Sequence, residues 1–301
     1  LALSLGITCY ITLDALLVGL DQMSINNVVS LESGHIQIFP EPYLEERKDL
    51  TLDYTYNYRL LEEQIAAIPN VEALTPRLTF FAQLNNGIDE LPVTAIGIDL
   101  ETDDRVFDLT DHLEGEMPRP GQFEAVIGAR LADLMELGIG DYFTLMTKTK
   151  SEAYQAIDLM ITGLVNTPHP EINSGTVYLP IDIAGEALGI PSEATTLVVK
   201  TSSLDQVPQV VDAINKVLPP NTDLRAYSWE TIEAEFLTIS ESERKFDSVF
   251  LLMIFVVGAI GVVNTVLLSS IERVKEIGMM KAMGMKESQI ILEFALEALG
   301  I

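Results

Sequence analysis

The sequence has little of the chemistry by which enzymes and nucleic-acid-binding proteins are usually recognised. Its 301 residues include one cysteine, Cys9, so no internal disulfide is possible and cysteine usage does not report the redox compartment. Lysine and arginine together number 18 against 45 acidic residues. The resulting net charge of -27 argues against a nucleic-acid partner, because a polyanion would be repelled.

Catalytic and ligand-binding motifs are also missing. A nucleotide-binding P-loop requires a Gly-Lys dipeptide, which the sequence lacks, and no G-x-S-x-G motif is present. His35, His112 and His169 are far apart and none has the spacing of a metal site, so we interpret His35 as a solvated strand histidine. Residues 99–104, DLETDD, lack the glycine and distal glutamate of a calcium loop and are expected to be a solvated acidic loop. We therefore predict no catalytic residue, cofactor or metal in this chain.

Long apolar runs are what the sequence does contain. Residues 248–271 are uncharged over 24 positions, and about 20 apolar residues suffice to cross a bilayer. This predicts a transmembrane helix at residues 246–271. Residues 1–20, interrupted by Asp14, are interpreted as a truncated first transmembrane helix, and residues 291–301 as the start of a third. Because both ends lie in apolar runs, we expect the sequence to be a fragment of a longer protein.

Charge is distributed unevenly between the apolar runs. Residues 15–247 hold 39 of the acidic residues but only 14 of the basic ones, whereas residues 272–289 hold four bases and three acids. Basic residues next to a span favour the cytoplasmic side. We therefore expect a multi-pass protein of the cytoplasmic (inner) membrane, in contact with membrane lipids, whose large acidic domain lies on the extracytoplasmic side.

The middle of the chain alternates between strand and helix patterns. Residues 36–38 alternate like a half-buried strand, residues 41–58 are polar and irregular, and a helix ends near Pro69. Two strands follow, joined at an Asn-Gly dipeptide that predicts a hairpin. Residues 124–147 predict a strand, a short helix closed by Gly138 and another strand, and residues 156–188 add strands and a further short helix.

The last block of this domain predicts strand, helix, strand, and it resembles the first block in element order. Its helix should bury one apolar face, made of Val207, Val210, Val211, Ile214 and Val217. The fold class is therefore α+β: transmembrane helices flanking a large extracytoplasmic α/β domain at residues 21–245. Within it, we expect two βαβ-like halves (21–104 and 195–245) to pair around a β-rich insert (105–194).

Small and polar residues recur along the predicted span. We expect this face to pack against another membrane helix, where small side chains allow close approach and an asparagine seeks a hydrogen-bond partner. The residues are Gly258, Gly261, Asn264, Thr265 and Ser269. This interpretation is favoured over a role in the passage of an ion or a substrate.

Behind the span, residues 272–290 predict a short cytoplasmic segment. Ile271, Val274 and Ile277 continue one apolar helical face, Gly284 should end the helix, and a new helix then returns towards the membrane. Such a segment could pass force between a cytoplasmic partner and the membrane helices, or it could be a simple interfacial connector.

Residues 262–290, VVNTVLLSSIERVKEIGMMKAMGMKESQI, resemble the motif of MacB/FtsX-type permeases of ABC transporters. The matching positions are Asn264, Thr265, Leu267, Ser269, Glu272, Arg273, Glu276, Ile277, Gly278, Ala282, Gly284 and Ile290. Residues 30–39 also look like the LolC/LolE lipoprotein-releasing branch, and residues 125–145 resemble an element of the family's extracytoplasmic domain.

This resemblance implies a permease that works as a homodimer or with a paralogue and is driven by a separate cytoplasmic ATPase, which binds the ATP. It implies that closure of the ATPase moves the external domains (mechanotransmission), for export or for release of an envelope substrate such as a lipoprotein; a periplasmic adaptor is a further candidate partner. The expected ATPase-coupling residues are Glu272, Arg273, Glu276, Gly278, Lys281, Gly284 and Lys286.

One departure from the family motif concerns the second cytoplasmic helix. Where the family often has Ala-Ser-Arg-Arg, this chain has Met-Lys-Glu-Ser at residues 285–288. The serine that would cap the helix is displaced, so we expect the cap to be lost at that position.

Two other classes of protein share parts of this pattern. A two-span sensor or receptor also places a ligand-binding domain between two membrane helices, but it requires a long continuous signalling helix after residue 271. A membrane-anchored envelope enzyme would need a catalytic constellation, which the sequence does not offer. The permease is therefore the favoured interpretation, with the sensor as the alternative.

Overall fold

The computed structural model describes the backbone of residues 2–299 and the side chains of residues 8, 10–242, 244–265 and 267–295. The described chain divides into two compact units. One is the domain Gln22–Leu237; the other comprises Leu1–Asp21 and Thr238–Ile301, as far as they are described.

The helices alternate with strands through the domain and then follow one another near the end of the chain. They are α1 (Ala2–Val28), α2 (Tyr43–Glu46), α3 (Arg59–Ala66), α4 (Asp103–Val106), α5 (Ala129–Leu134), α6 (Pro170–Gly175), α7 (Ile181–Leu188), α8 (Val207–Val217), α9 (Trp229–Ile232), α10 (Ala234–Glu272), α11 (Val274–Ala282) and α12 (Glu287–Leu299). A π-helical turn covers Val29–Ser33, and short 3-10 helices cover Arg47–Asp49, Thr110–His112 and Leu204–Gln206.

The strands all belong to the domain. They are β1 (Ile36–Pro40), β2 (Tyr56–Asn57), β3 (Val71–Asn85), β4 (Glu90–Ile98), β5 (Leu113–Gly115), β6 (Glu124–Gly128), β7 (Tyr142–Lys148), β8 (Tyr154–Val165), β9 (Thr176–Pro180), β10 (Glu193–Ala194), β11 (Thr196–Thr201) and β12 (Leu224–Ser228). The mixed α/β character expected of this domain is confirmed.

Ten strands form one sheet in the order β12-β1-β11-β3-β4-β9-β6-β8-β5, with β7 pairing to both β3 and β8. Pairing is antiparallel except between β4 and β9 and between β6 and β8. The first and last blocks of the domain do pair, since β1 lies between β11 and β12. A separate two-stranded sheet joins β2 to β10.

The long strand β3 connects two hydrophobic cores. Its first part pairs with β11 up to Arg77, and from Arg77 onward it pairs with β4. Helices α3 and α8 cover one core through Ile65, Ile214 and their neighbours, while α5 and α7 cover the other. The inner boundary expected at residue 104 is therefore not sharp, because the distal parts of β3 and β4 pack in the core that holds residues 125–190.

Local expectations differ from the structure at several places. The segment expected to be an irregular loop at residues 41–58 contains α2 and β2, since Tyr43 is buried with its ring centroid 5.5 Å from that of Phe39. On α8, Val217 is 40% exposed and Leu218 is buried instead. Helix α5 ends at Leu134, before Gly138, because the chain turns at Glu136 with φ 52°.

His35 is half-buried rather than solvated. Its Nδ1 lies 2.8 Å from Thr201 Oγ1 and accepts a hydrogen bond from the Thr201 backbone N–H at 3.1 Å. Burial lowers the pKa of the His35 imidazole, because removal from water disfavours the charged ring. This histidine therefore ties β1 to β11 and is a structural residue.

The acidic stretch at residues 99–104 is not wholly solvated either. Asp103 is buried and accepts two hydrogen bonds from Arg77, from Nε to Oδ1 and from Nη2 to Oδ2, each 2.9 Å long. The guanidinium carbon of Arg77 also lies 3.3 Å from the centroid of the Phe107 ring. The sequence showed a run of acids, but one of them neutralises a buried arginine on β3.

Replacing Asp103 with alanine should lower the free energy of unfolding of the domain by roughly 3–5 kcal/mol, because the Arg77 guanidinium would stay buried without its counter-ion. Trp229, the only tryptophan of the chain, is buried in this domain. Its fluorescence during urea denaturation therefore reports the unfolding of the domain within the intact chain.

Two further variants distinguish the effect of the buried ion pair on stability from that of an exposed ion pair. The double variant Arg77→Met/Asp103→Leu should recover much of the lost stability, since apolar residues of similar volume often replace a buried pair without loss. Lys48→Ala removes an exposed contact with Glu235 and should change the urea concentration at the midpoint of unfolding little. An unchanged unfolding midpoint in Asp103→Ala would contradict the conclusion that Asp103 neutralises the buried Arg77.

Candidate functional site

Helix α10 carries the long apolar run. Among the described residues it is the one helix that is long and apolar enough to cross a membrane. Large apolar side chains along it are exposed, for example Phe250, Val257 and Leu267 at 61%, 65% and 56%. Residues 2–20 are helical within α1, but because most of the side chains of residues 1–9 lie outside the described residues, the first span stays a prediction.

The small residues of α10 leave one face of the helix open. A Cβ atom added at Gly258 or Gly261 would meet nothing within 4 Å among the described residues. The Thr265 hydroxyl donates to the Gly261 carbonyl at 3.0 Å, while Asn264 and Ser269 are exposed. The described residues therefore do not fill this face, and its packing against another helix stays a prediction.

Helix α10 ends at Glu272, and Arg273 interrupts the helical backbone with φ -94° and ψ 8°. We expected an uninterrupted helix across this point. The interruption is slight, because the Arg273 N–H still donates to Ser269 at 3.3 Å and the Ile277 N–H donates to Arg273 at 3.1 Å. The Arg273 guanidinium carbon lies 5.8 Å from the centroid of the Phe294 ring on α12.

Gly284 ends the next helix in the expected way. Helix α11 stops at Ala282, and Gly284 adopts φ 90°, a conformation that side chains disfavour. The Met285 N–H donates to the Met280 carbonyl at 3.1 Å and the Gly284 N–H donates to the Lys281 carbonyl at 3.0 Å. These two bonds form a Schellman motif, which satisfies carbonyls at the end of a helix.

The start of α12 is capped, although not by a serine. Lys286 precedes the helix, and its backbone N–H donates to Gln289 Oε1 at 3.0 Å. A glutamine three residues into a helix start supplies this half of a capping box. Gln289 thus offsets the expected loss of the serine cap. The Lys-x-x-Gln spacing at residues 286–289 was the available sequence signal.

An ion pair closes the turn between α11 and α12. Lys281 Nζ lies 2.6 Å from Glu287 Oε1. The hydrogen bond and the positive charge of Lys281 hold the pKa of the Glu287 carboxyl below its ordinary value. Lys281, which we predicted to face a partner, is therefore engaged with its own chain.

The outward surface of α11 is an open groove of about 520 Å³, lined by Glu276, Met279, Met280, Ala282 and Met283. No residue of α11 is buried in the described part of the chain. A Cβ at Gly278 would meet nothing within 4 Å there, so the fold does not require glycine at this position. The concentration of four methionines within residues 279–285 is the sequence signal for this surface.

The seven predicted coupling residues lie within one short segment. Glu272 and Arg273 stand at the junction of α10 and α11, three others lie on α11, and Gly284 and Lys286 form the turn. The segment offers an exposed surface of apolar and charged groups, suited to binding another protein. No group of three or more His, Cys, Asp or Glu residues suited to a metal ion occurs among the described residues.

Family models match most of the chain. Residues 1–217 match the MacB-like periplasmic core domain, and residues 248–301 match the FtsX-like permease C-terminal region. The segment that contains α11 and the turn thus falls in the second match.

Several curated proteins are similar to parts of the chain. A macrolide export ATP-binding/permease protein MacB of Pasteurella multocida (strain Pm70) is 27% identical over 150 residues, covering 48% of this chain and 23% of that protein. An ABC transporter permease of Methanocaldococcus jannaschii is 24% identical over 167 residues, covering 54% and 39%. A probable export ATP-binding/permease protein MacB of Pseudomonas entomophila (strain L48) is 28% identical over 130 residues, covering 42% and 19%. The chain thus spans well under half the length of these relatives.

Solved structures of external domains are also similar. The periplasmic region of MacB from Actinobacillus actinomycetemcomitans is 14% identical, with a TM-score of 0.46, over 70% of this chain and 95% of that one. The extracellular domain of the noncanonic ABC-type transporter YknZ from Gram-positive bacteria is 13% identical, with a TM-score of 0.46, over 65% and 100%.

Gly284→Val should open the turn, because a β-branched residue at φ 90° is strained by more than the roughly 1–2 kcal/mol that left-handed backbone costs ordinary residues. The measurement is zero-length carbodiimide crosslinking of Lys281 to Glu287, read by peptide mass spectrometry. Gly284→Val should lower the crosslink yield.

Two matched variants test the cause. Gly284→Asn should keep most of the yield, since asparagine tolerates left-handed backbone. Gly278→Val should keep it because a Cβ at 278 meets nothing within 4 Å among the described residues. Equal yields in Gly284→Val and the starting protein would show that the turn does not depend on the glycine.

Proposed function

Because the chain belongs to the MacB/FtsX family of ABC transporter permeases, we propose that it couples ATP hydrolysis by a cytoplasmic ABC ATPase to movement of the domain Gln22–Leu237. The observation that carries this proposal is the exposed helix α11, closed by its own glycine turn and followed by a second helix. In this scheme, α11 and the turn are the surface on which the ATPase acts.

The charge pattern supports an orientation in which α11 lies on the cytoplasmic side of the membrane. Residues 272–289 contain four bases and three acids, whereas the domain is strongly acidic. The scheme is a multi-pass protein of the inner membrane, with the domain on the extracytoplasmic side and α11 on the cytoplasmic side. Under this orientation the ATPase and the domain lie on opposite sides of the bilayer, so the energy must pass through the membrane helices.

The ATPase must supply the nucleotide chemistry. The sequence contains no Gly-Lys dipeptide and hence no P-loop. Two of the similar proteins are named ATP-binding/permease proteins, so an ATPase carried on the same polypeptide is the alternative to a separate subunit. Purification of the full-length protein in a mild detergent distinguishes the two arrangements.

The architecture of the domain supports a mechanical role. One continuous sheet, through β3, connects both hydrophobic cores, so the domain should move as a single body. We propose that this movement releases or exports an envelope substrate such as a lipoprotein, by mechanotransmission and not by passage of the substrate through the bilayer.

The alternative function, a two-span sensor, fits the segment less well. A signalling helix would continue without a break, whereas α11 covers only Val274–Ala282 and ends in a Schellman motif. The chain then begins another helix at Glu287.

Gly278→Leu and Glu276→Lys should each strongly reduce ATP hydrolysis that depends on the permease. Both residues are exposed on α11. Among the described residues a Cβ at 278 meets nothing within 4 Å, so we expect the leucine to obstruct a docked partner. The measurement is permease-stimulated ATPase activity of the full-length complex in nanodiscs.

Gly175→Leu is the matched control. Gly175 ends α6 in the domain, and a Cβ there also meets nothing within 4 Å among the described residues. It should leave the stimulated activity and membrane insertion unchanged. Normal activity in both α11 variants, or purification without any P-loop ATPase, would overturn the proposed function.

We also propose that a second permease copy or a paralogue packs on the small-residue face of α10. Gly261→Leu should weaken this association, because the larger side chain prevents close helix approach. Val263→Leu is the control, since residue 263 lies on the opposite side of the helix. Native mass spectrometry of the detergent-solubilised protein measures the dimer fraction, and equal fractions in both variants would place the contact elsewhere.

A further inference from the structure

We propose that Met279 and Met283 form an oxidation-sensitive site that uncouples the permease from its ATPase when their thioethers become sulfoxides. This inference rests on the proposed function of α11. It adds a reversible modification of that surface, for which peroxide is the chemical class of oxidant.

The methionines are concentrated and exposed in one place. Four of the ten methionines of the chain lie within residues 279–285. Met279 is 61% exposed and Met283 is 76% exposed, and both line the groove on α11. Being four residues apart, they lie next to each other on one helix face. By contrast Met135, in the core of the domain, is 1% exposed.

The other two methionines of the cluster, Met280 and Met285, belong to the turn that ends α11. Met280 and Met285 are half-buried and are joined by the backbone hydrogen bond of the Schellman motif. An apolar contact between the corresponding side chains often accompanies this motif. Oxidant should therefore reach Met279 and Met283 more readily than these two.

Oxidation changes the surface in a defined way. A sulfur lone pair attacks one oxygen of hydrogen peroxide, a sulfur–oxygen bond forms and the oxygen–oxygen bond breaks. The sulfur is oxidised by two electrons, and after proton transfer the second oxygen leaves as water. The product is a polar, chiral sulfoxide in place of a flexible apolar group.

A sulfoxide in the groove opposes docking of a protein surface. Met279 and Met283 contribute apolar area that association would remove from water, whereas a sulfoxide oxygen would have to lose its hydration or find a donor. Methionine sulfoxide reductases restore the thioether, one enzyme for each sulfoxide epimer. The site is thus a reversible switch on coupling.

The test uses the full-length permease with its ATPase in nanodiscs, treated with graded hydrogen peroxide. Peptide mass spectrometry measures sulfoxide at each methionine, and ATP hydrolysis is measured on the same samples. We expect Met279 and Met283 to oxidise well before Met135, and stimulated hydrolysis to fall in step with them. Reduction by the two sulfoxide reductases should restore it.

Two double variants test whether the loss of ATP hydrolysis under peroxide comes from Met279 and Met283. Met279→Leu/Met283→Leu should lose little of its own starting activity during peroxide treatment, while Met23→Leu/Met146→Leu, which removes two exposed methionines of the domain, should remain as sensitive as the unaltered protein. Equal sensitivity of both variants would overturn the proposal. So would full sulfoxide formation at Met279 and Met283 without loss of activity, or no recovery after reduction.

Failure of the proposed function gives a different result. In that case the untreated complex would show no permease-stimulated ATP hydrolysis. The switch fails instead when untreated hydrolysis is normal and oxidation of the two methionines leaves it unaffected.

Discussion

The ion pair between Arg77 and Asp103 lies at the point of the sheet on which both halves of the domain depend. Arg77 pairs with Thr196 of β11 on one side and with Ile98 of β4 on the other, so β3 changes partner there. The Arg77 carbonyl also accepts from the Thr195 hydroxyl at 2.9 Å. A buried guanidinium is tolerated only when it is paired and hydrogen-bonded, and Asp103 with Phe107 provides both charge and a ring face.

This arrangement links the two cores energetically. Since β3 and β4 pack in one core and β3 also pairs with β11 of the other, separation of the cores would expose apolar surface of both and break the environment of Arg77. A domain that yields at an internal boundary would absorb displacement, whereas one that moves as a body transmits it. The continuous sheet is therefore the feature of the domain that best suits a mechanical function.

Local sequence patterns predicted much of the fold, whereas contacts between residues that are distant in the sequence were not predicted. The alternation at residues 36–38, the Asn-Gly hairpin and the buried face of Val207, Val210 and Ile214 all depend on neighbours in sequence and appear in the structure as expected. The partner of Arg77 is 26 residues away, so the acidic stretch looked solvated. The aromatic packing of Tyr43 on Phe39 likewise could not be read from composition, because it needs the position of β1.

At the candidate site, the structure separates two groups of residues that lie close together in the sequence. Gly284, Lys281, Glu287 and Gln289 satisfy one another within the turn, so their chemistry is used by the chain itself. Glu276 and Gly278 on α11 take no part in these turn contacts, and Met279 and Met283 are largely exposed. A turn that closes through its own contacts presents the outward residues in a fixed arrangement before any partner binds, which lowers the ordering cost of association. The residues that build the turn should therefore govern the shape of the surface, and the outward ones its chemistry.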